Sequence, residues 1–277
     1  MPFVTPGLYV VATPLGNLQD LSPRALEILR SVALIAAEDT RHSQTLCRQW
    51  DIRTPLVSLH DHNERDRLGA LVERVRAGDA VALISDAGTP LISDPGYLMV
   101  RAARAASVPV YAVAGPSAVV AALSVAGIPC DRFAFEGFPP AQAGARRAYF
   151  EALAAEPRTL VFYESPHRLA ASLTDLSEIF GPAREAALLR ELTKRFEEGL
   201  LSTLGDLAER VRAAAPKGEC VLVVRGAPPV ADEAEGERVL TILLDQLPLR
   251  QAVDLAVEIT GAPRKPLYAR ALALKGQ

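Results

Sequence analysis

Lysine is scarce in this 277-residue chain. Of 30 basic residues only Lys194, Lys217, Lys265 and Lys275 are lysine. A composition leaning toward arginine and alanine accounts for most of that imbalance. Each lysine is still a candidate for a role that needs a titratable point charge rather than a planar fork. Cysteine is equally sparse. Cys47, Cys130 and Cys220 are odd in number, far apart and without a C-x-x-C pair, so neither a disulfide framework nor a thiolate zinc site is indicated. A dominant charge is missing too: 30 Lys+Arg oppose 33 Asp+Glu, a net charge of -3. A polyanion would therefore have to meet local patches, since the surface carries no general basic coat. The opening residues have no basic n-region and reach Asn17 and Asp20 early, so no signal peptide is expected. The longest apolar stretch, Ala105 to Pro129, is cut by Pro109, Gly115 and Pro116 and does not read as a membrane span. A cytoplasmic, reducing setting without a membrane is the expectation. Walker A and G-x-G-x-x-G patterns are both absent, which removes the main support for ordinary NTPase and dinucleotide readings.

What the chain does have is alternation. At 49% hydrophobic residues it can fill a core for one or two domains. Short β-branched runs alternate with amphipathic stretches, which predicts an α/β protein with a largely parallel sheet. Leu8–Ala12, Val32–Ala36, Pro55–Leu59, Ala80–Ile84 and Pro109–Val113 read as strands, with helices after Ser22-Pro23, over Asn63–Ala77 and after Gly115-Pro116-Ser117. A second set of strands is expected at Phe133–Phe135, Thr159–Phe162, Ala186–Leu189 and Glu219–Val224. Its helices are expected at Ala141–Ala155, Pro166–Ile179 and Leu204–Ala214. Ala227–Gly236 reads as a linker, followed by three short helices at Glu237–Asp245, Leu249–Thr260 and Pro263–Leu274. The expected domains are thus 1–117, 118–228 and a helical appendage at 237–277, whose last residues carry Arg264, Lys265, Arg270 and Lys275 without an acid.

Three turns follow predicted strands, where open α/β sheets place ligands. They are Thr13-Pro14-Leu15-Gly16-Asn17, the Gly/Pro-dense run Ser85 to Gly96, and Ala114-Gly115-Pro116-Ser117-Ala118. Glycine and proline here permit close backbone approach, and Asp86 is placed to accept hydrogen bonds from a ribose or an amino group. Each turn alone would read as a simple βα connection; three on one sheet edge read as a site. Charged strings also end strands: Glu38-Asp39-Thr40-Arg41-His42, Phe162-Tyr163-Glu164-Ser165-Pro166-His167-Arg168 and Arg190-Glu191-Leu192-Thr193-Lys194-Arg195. His60-Asp61-His62-Asn63-Glu64 has metal-ligand residue types but no apparent third ligand, so it reads as a loop or binding surface and no metal is expected.

Taken in order, these motifs, with Phe135-Glu136-Gly137-Phe138-Pro139, resemble the ribosomal RNA methyltransferase branch of the tetrapyrrole methylase superfamily over nearly the whole chain. Pro14-Leu15-Gly16-Asn17 stands where the small-molecule branch usually has a glycine-rich acidic turn. The resemblance implies two α/β domains of the class III methyltransferase type, S-adenosylmethionine in the cleft between them, a helix-turn-helix-like C-terminal appendage and a homodimer. It implies methylation of the ribose 2′-hydroxyl of a decoding-centre cytidine in 16S rRNA within the 30S subunit. Carried over motif by motif, the cofactor contacts would be Pro14, Leu15, Gly16, Asp86, Ala87, Gly88, Thr89, Pro90, Ser117, Ala118, Phe162 and Tyr163.

In-line displacement at a sulfonium methyl gains most from holding the acceptor oxygen in place, and a ribose hydroxyl benefits from a nearby base or cation. Lys194 is the candidate cation, and Glu191 or Asp39 the candidate proton acceptor. Arg41, Arg168, Arg195, Arg264, Lys265 and Arg270 are the candidate RNA contacts. A small-tetrapyrrole methylase and a non-catalytic ribosome-binding protein on the same scaffold are the two alternatives.

Overall fold

The computed structural model describes residues 4–60, 63–228 and 233–275. The chain divides into a compact unit up to Gly226 and a second unit from Ala227 onward. In the first unit β1 (Gly7–Val11), α1 (Pro23–Ser31), β2 (Leu34–Ala37), α2 (Thr40–Gln49), β3 (Leu56–Ser58), α3 (Glu64–Arg76), β4 (Ala80–Ile84), α4 (Tyr97–Ala105) and β5 (Val110–Val113) form one half. The strands make an all-parallel sheet in the order β3-β2-β4-β1-β5. Alternate residues sort to its two faces. Tyr9 and Val11 pack with Ala25, Ile28 and Leu29 of α1, while Leu8 packs with Val72 and Val75 of α3 and Met99 of α4. Ser22 caps α1, its Oγ accepting from the Ala25 amide, and Pro23 opens the helix with φ already set.

The order of strands positions a crevice. From β1 the chain crosses one way to β2, and from β4 it crosses the other way to β5, although β1 and β4 are neighbours. The connections diverge at the carboxyl ends of these two strands, the place where a doubly wound sheet leaves room for a ligand.

The other half comprises α5 (Ala118–Val125), β6 (Phe133–Gly137), α6 (Ala143–Leu153), β7 (Thr159–Glu164), α7 (Pro166–Phe180), β8 (Glu185–Arg190), β9 (Glu198–Thr203), α8 (Leu204–Ala213) and β10 (Cys220–Val224). Its sheet runs β6-β7-β10-β8-β9, and only β6 and β7 are parallel. The expectation of a largely parallel sheet therefore holds for the first half and is corrected for the second. β9, which follows β8 through a short antiparallel connection, is too polar to read as a strand, with half-exposed Glu198, Leu200 and Ser202. Helices α6, α7 and α8 cover one face through Phe150, Leu169, Leu173 and Leu207, each such buried side chain contributing about 1.5–3 kcal/mol. Helix α5 covers part of the other face, Val119, Ala122 and Leu123 packing on Val161, Leu189 and Val221.

In the second unit α9 (Glu233–Leu244), α10 (Leu249–Thr260) and α11 (Arg264–Lys275) pack around Leu240, Val253, Ala256, Leu267 and Ala271. Gly261 ends α10 in the left-handed conformation, φ 68°, which lets α11 turn back. Among the described residues no helix is long and apolar enough to cross a membrane.

Candidate functional site

Main-chain hydrogen bonds tie the predicted turns together. The Thr13 amide donates to Gly88 O at 2.8 Å and the Gly88 amide to Thr13 O at 3.0 Å, so the turns after β1 and β4 are bridged in both directions. Thr89 Oγ1 donates to Pro116 O at 2.9 Å and joins the turn before α5 to the same assembly. Gly88 has φ +82°, and a β-carbon there would stand 3.2 Å from the Leu15 side chain. Glycine therefore keeps open the space beside these turns.

A cavity of about 360 Å³ opens against them. The first half contributes Leu15, Ala87, Gly88, Thr89, Ile92, Ser93 and Asp94. Ser117 and Ala118 stand at the start of α5, where Ser117 makes no side-chain cap bond. The facing half contributes Phe138, Tyr163, Glu164, Ser165, Pro166, Leu192, Glu219, Cys220 and Val221. Ser93 (φ 65°) lines this space, Leu91 (φ 73°) precedes the lining residue Ile92, and Glu191 (φ 51°) and Thr193 (φ 67°) flank the lining residue Leu192. Left-handed backbone at non-glycine residues is costly, and its concentration here fits a shaped binding site.

The cavity wall is partly aromatic. Tyr163 packs edge-on against Phe135 at 4.8 Å and Phe138 at 5.5 Å. Burial pushes the Tyr163 hydroxyl up to about 12, with the Asp94 charge adding to the shift. Glu164 is fully buried and tied down: its carboxylate accepts from Ser165 N at 2.8 Å, from Arg168 Nε at 2.9 Å and from Ser172 Oγ. Arg168 also donates to Pro139 O, which holds the segment carrying Phe138.

A charged knot stands beside the cavity. Lys194 Nζ donates to Glu191 Oε1 and Glu219 Oε2, both at 3.0 Å, and the Glu219 amide donates to Glu191 Oε1 at 3.0 Å. Burial pulls the Lys194 ammonium down, but Glu219 and Glu191 outweigh it and the net shift is upward. Burial likewise raises the Glu191 carboxyl, and its bonds to Lys194 and the Glu219 amide outweigh that, leaving it below the ordinary range. Gly218 (φ +90°) makes room for Glu191, because a β-carbon there would lie 2.6 Å from Glu191 Cγ.

Of the residues expected to hold the cofactor, Leu15, Ala87, Gly88, Thr89, Ser117, Ala118 and Tyr163 line the cavity. Pro14, Gly16 and Pro90 belong to the same turns but do not line it. Asp86 turns away, its Oδ1 accepting from the Asp39 amide at 3.1 Å, and Asp94 is the carboxylate on this wall. Phe162 is buried on the opposite face of its sheet against Phe150, since neighbours along a strand point to opposite faces. Asp39 caps α2 and is bound through both oxygens by Arg41, which holds its carboxyl at about 2 and makes it a weak proton acceptor.

The basic candidates separate similarly. Arg41 is 88% exposed along its side chain, and Arg195 is exposed with its guanidinium over the Phe196 ring. Arg168 is committed to Glu164 and Pro139. Arg264 pairs with Asp254 and Arg270 with Glu237, so acids on α10 and α9 offset much of the charge that α11 shows by itself; Lys265 is exposed. His60 contacts Asn63 Nδ2 at 3.2 Å, while Asp61 and His62 lie outside the described residues. Sequence reasoning missed Leu192, Glu219 just before β10, and Cys220 and Val221 at the start of that strand. For Val221 the signal was the parity of β10, which sets it opposite Tyr163 in the register.

A doubly wound sheet facing a mixed sheet across a partly apolar cleft, gripped by main-chain turns, defines an α/β enzyme for a small amphiphilic ligand. Residues 7–208 match the tetrapyrrole (corrin/porphyrin) methylase family, and residues 230–275 match the RsmI C-terminal HTH domain. The chain is 52% identical to ribosomal RNA small subunit methyltransferase I of Pseudomonas aeruginosa, over 98% of each chain. It is 46% identical to the protein of that name from Escherichia coli O157:H7, over 97% of this chain and 96% of the other. Among solved structures, uroporphyrin-III C-methyltransferase of Thermus thermophilus aligns with a TM-score of 0.57 and 25% identity, over 79% of this chain and 93% of the other. The chain belongs to the tetrapyrrole methylase family, in the branch of the ribosomal RNA small subunit methyltransferases I.

It is a methyltransferase, and its cofactor is S-adenosylmethionine. The residues present fit that molecule: the glycine-kept space at Gly88, the open first turn of α5 and a cavity of mixed apolar and acidic lining suit a ligand with a flat base, a ribose and an ammonium group.

Proposed function

We propose that the chain methylates the ribose 2′-hydroxyl of a decoding-centre cytidine in 16S rRNA, acting as a cytoplasmic homodimer on the 30S subunit. What carries this reading is the near-full-length similarity to proteins named ribosomal RNA small subunit methyltransferase I, through both the cleft-bearing unit and the helical unit. The bound cofactor supplies an electrophilic methyl group on a sulfonium. Around it, Leu15 and Gly88 shape the wall, Thr89 fixes the turn before α5, and Tyr163 with Phe138 lines the apolar side.

Lys194 keeps its proton, and a fixed ammonium near the acceptor favours the charge that grows on a ribose oxygen as its proton leaves. The same ammonium suits an adjoining phosphate. Exposed Arg41, Arg195 and Lys265 supply phosphate contacts that set the position of the RNA without reading its sequence. In this reading Arg168 acts by holding Glu164 and Pro139, and Arg264 and Arg270 act within their own helical unit.

The test supplies labelled cofactor with either unmodified 30S subunits or uroporphyrinogen, and maps the label. Label on a ribose of 16S rRNA supports the reading. Transfer to the porphyrinogen alone would move the chain to the small-molecule branch. Absence of cofactor binding by calorimetry would make it a ribosome-binding scaffold.

A further inference from the structure

Three carboxylates line the cavity among the described residues: Asp94, Glu164 and Glu219. They differ in what they are already doing. Glu164 has no exposed side-chain surface and accepts from Ser165, Arg168 and Ser172, so its lone pairs are committed. Asp94 sits in the first-half loop and acts on Tyr163 through its charge. Glu219 stands immediately before β10, is 75% exposed along its side chain, and accepts from the Lys194 ammonium through Oε2. A carboxylate bound through one oxygen still accepts a proton through the other.

The remaining members of the knot are less suited to take a proton. Glu191 receives both the Lys194 ammonium and the Glu219 amide on Oε1, and only 18% of its side chain is exposed. Lys194 is already protonated and held so by its two partners. The knot thus divides into an anchor, a cation and an open acceptor, with the acceptor on the cavity wall.

Resting on the proposed ribose methylation, we propose that Glu219 is the catalytic residue that receives the proton of the acceptor hydroxyl, with Lys194 holding its carboxylate in place. The ribose oxygen bonds to the methyl carbon as the carbon–sulfur bond breaks, that electron pair staying on sulfur. The hydroxyl proton passes to Glu219 Oε1 and then to water. A carboxylate is basic enough for this step, because a hydroxyl oxygen becomes strongly acidic as it gains the methyl carbon. The titratable groups facing Glu219 are Lys194 and Glu191 from the segment after β8, Tyr163 from β7 and the adjoining Cys220.

The experiment compares wild type, Glu219→Gln and Glu219→Asp. Single-turnover methylation of unmodified 30S subunits is measured across pH, together with S-adenosylmethionine affinity by calorimetry and melting temperature. Glu219→Gln should lower the methylation rate on the order of 100-fold, the usual scale for a lost general base. It should also erase the fall in rate on the acid side, leaving cofactor affinity and melting temperature unchanged, and Glu219→Asp should recover part of the rate with its acid limb. An unchanged rate, or a loss of cofactor affinity that accounts for the loss of rate, overturns the assignment; the latter would place Glu219 on the cofactor's ammonium. If wild type transfers nothing to 30S subunits, the proposed function fails instead.

Discussion

The stem of Lys194 lies over Gly16, so close that a β-carbon on Gly16 would stand 2.6 Å from Lys194 Cε. One residue belongs to the turn after β1 and the other to the segment after β8. The contact joins the all-parallel half to the mixed half beside the cleft, and it sets where the ammonium between Glu191 and Glu219 can sit.

Gly16→Ala should displace the Lys194 side chain rather than unfold the chain, because the obstructing atoms are a flexible stem. Methylation should fall by up to roughly 100-fold, the scale on which a misplacement of about 1 Å acts, with melting temperature nearly unchanged. A Gly16→Ala, Lys194→Ala double variant should be no worse than Lys194→Ala alone. Additive losses in that cycle would show that the two residues act separately.

Asp175 accepts from Arg146 Nε at 2.7 Å and Arg147 Nη1 at 2.8 Å, and the Arg146–Asp175 pair is buried between α6 and α7. Removing one partner strands a buried charge. Asp175→Ala should cost about 3–5 kcal/mol in urea unfolding, while exchanging the pair for apolar residues of similar volume should cost far less. A loss under 1 kcal/mol would show that Arg146 finds water.

Thiol reactivity should rank by burial. Cys130 is exposed, whereas burial pushes the Cys220 thiol up to about 11 and raises that of Cys47. The thiolate is the reactive form. In native protein at pH 8, a chromogenic disulfide reagent should therefore titrate Cys130 rapidly and the other two only on unfolding. Rapid reaction of Cys220, which lines the cavity, would mean the cleft opens widely in solution.

Acid should destabilise the chain through two surface carboxylates. The Arg41 bonds to Asp39 and the Arg158 bonds to Glu156 hold both carboxyls at about 2, below their ordinary values of 3.8 and 4.5. As pH falls, the unfolded chain takes up these protons first. The stabilisation is therefore full above about pH 5 and is lost as pH drops toward 2. Melting curves between those limits should fall less steeply for Asp39→Asn and Glu156→Gln than for wild type, and parallel curves would remove the two pairs from the account.

Much of this was legible in the residues, because most strands are continuous apolar runs and turns are punctuated by glycine and proline. Ala80–Ile84 and Leu249–Thr260 stand where the pattern places them. Strand direction was not legible, since β8 and β10 are as apolar as parallel strands and run antiparallel only because β9 and α8 intervene. Side-chain parity failed at Phe162, where a motif string cannot say which of two neighbouring aromatics faces the ligand. Glu219 escaped because its partner Lys194 is 25 residues away, and the pairing of Arg264 and Arg270 depends on acids from neighbouring helices.

The two-way bridge between Thr13 and Gly88 has a consequence for change over time. Its four hydrogen-bonding groups are all main chain, so the floor of the cleft stays in place whichever side chains stand around it. A protein built in this way can exchange the rim of its cleft, and so the molecules it admits, while the ligand seat formed by these turns is left intact.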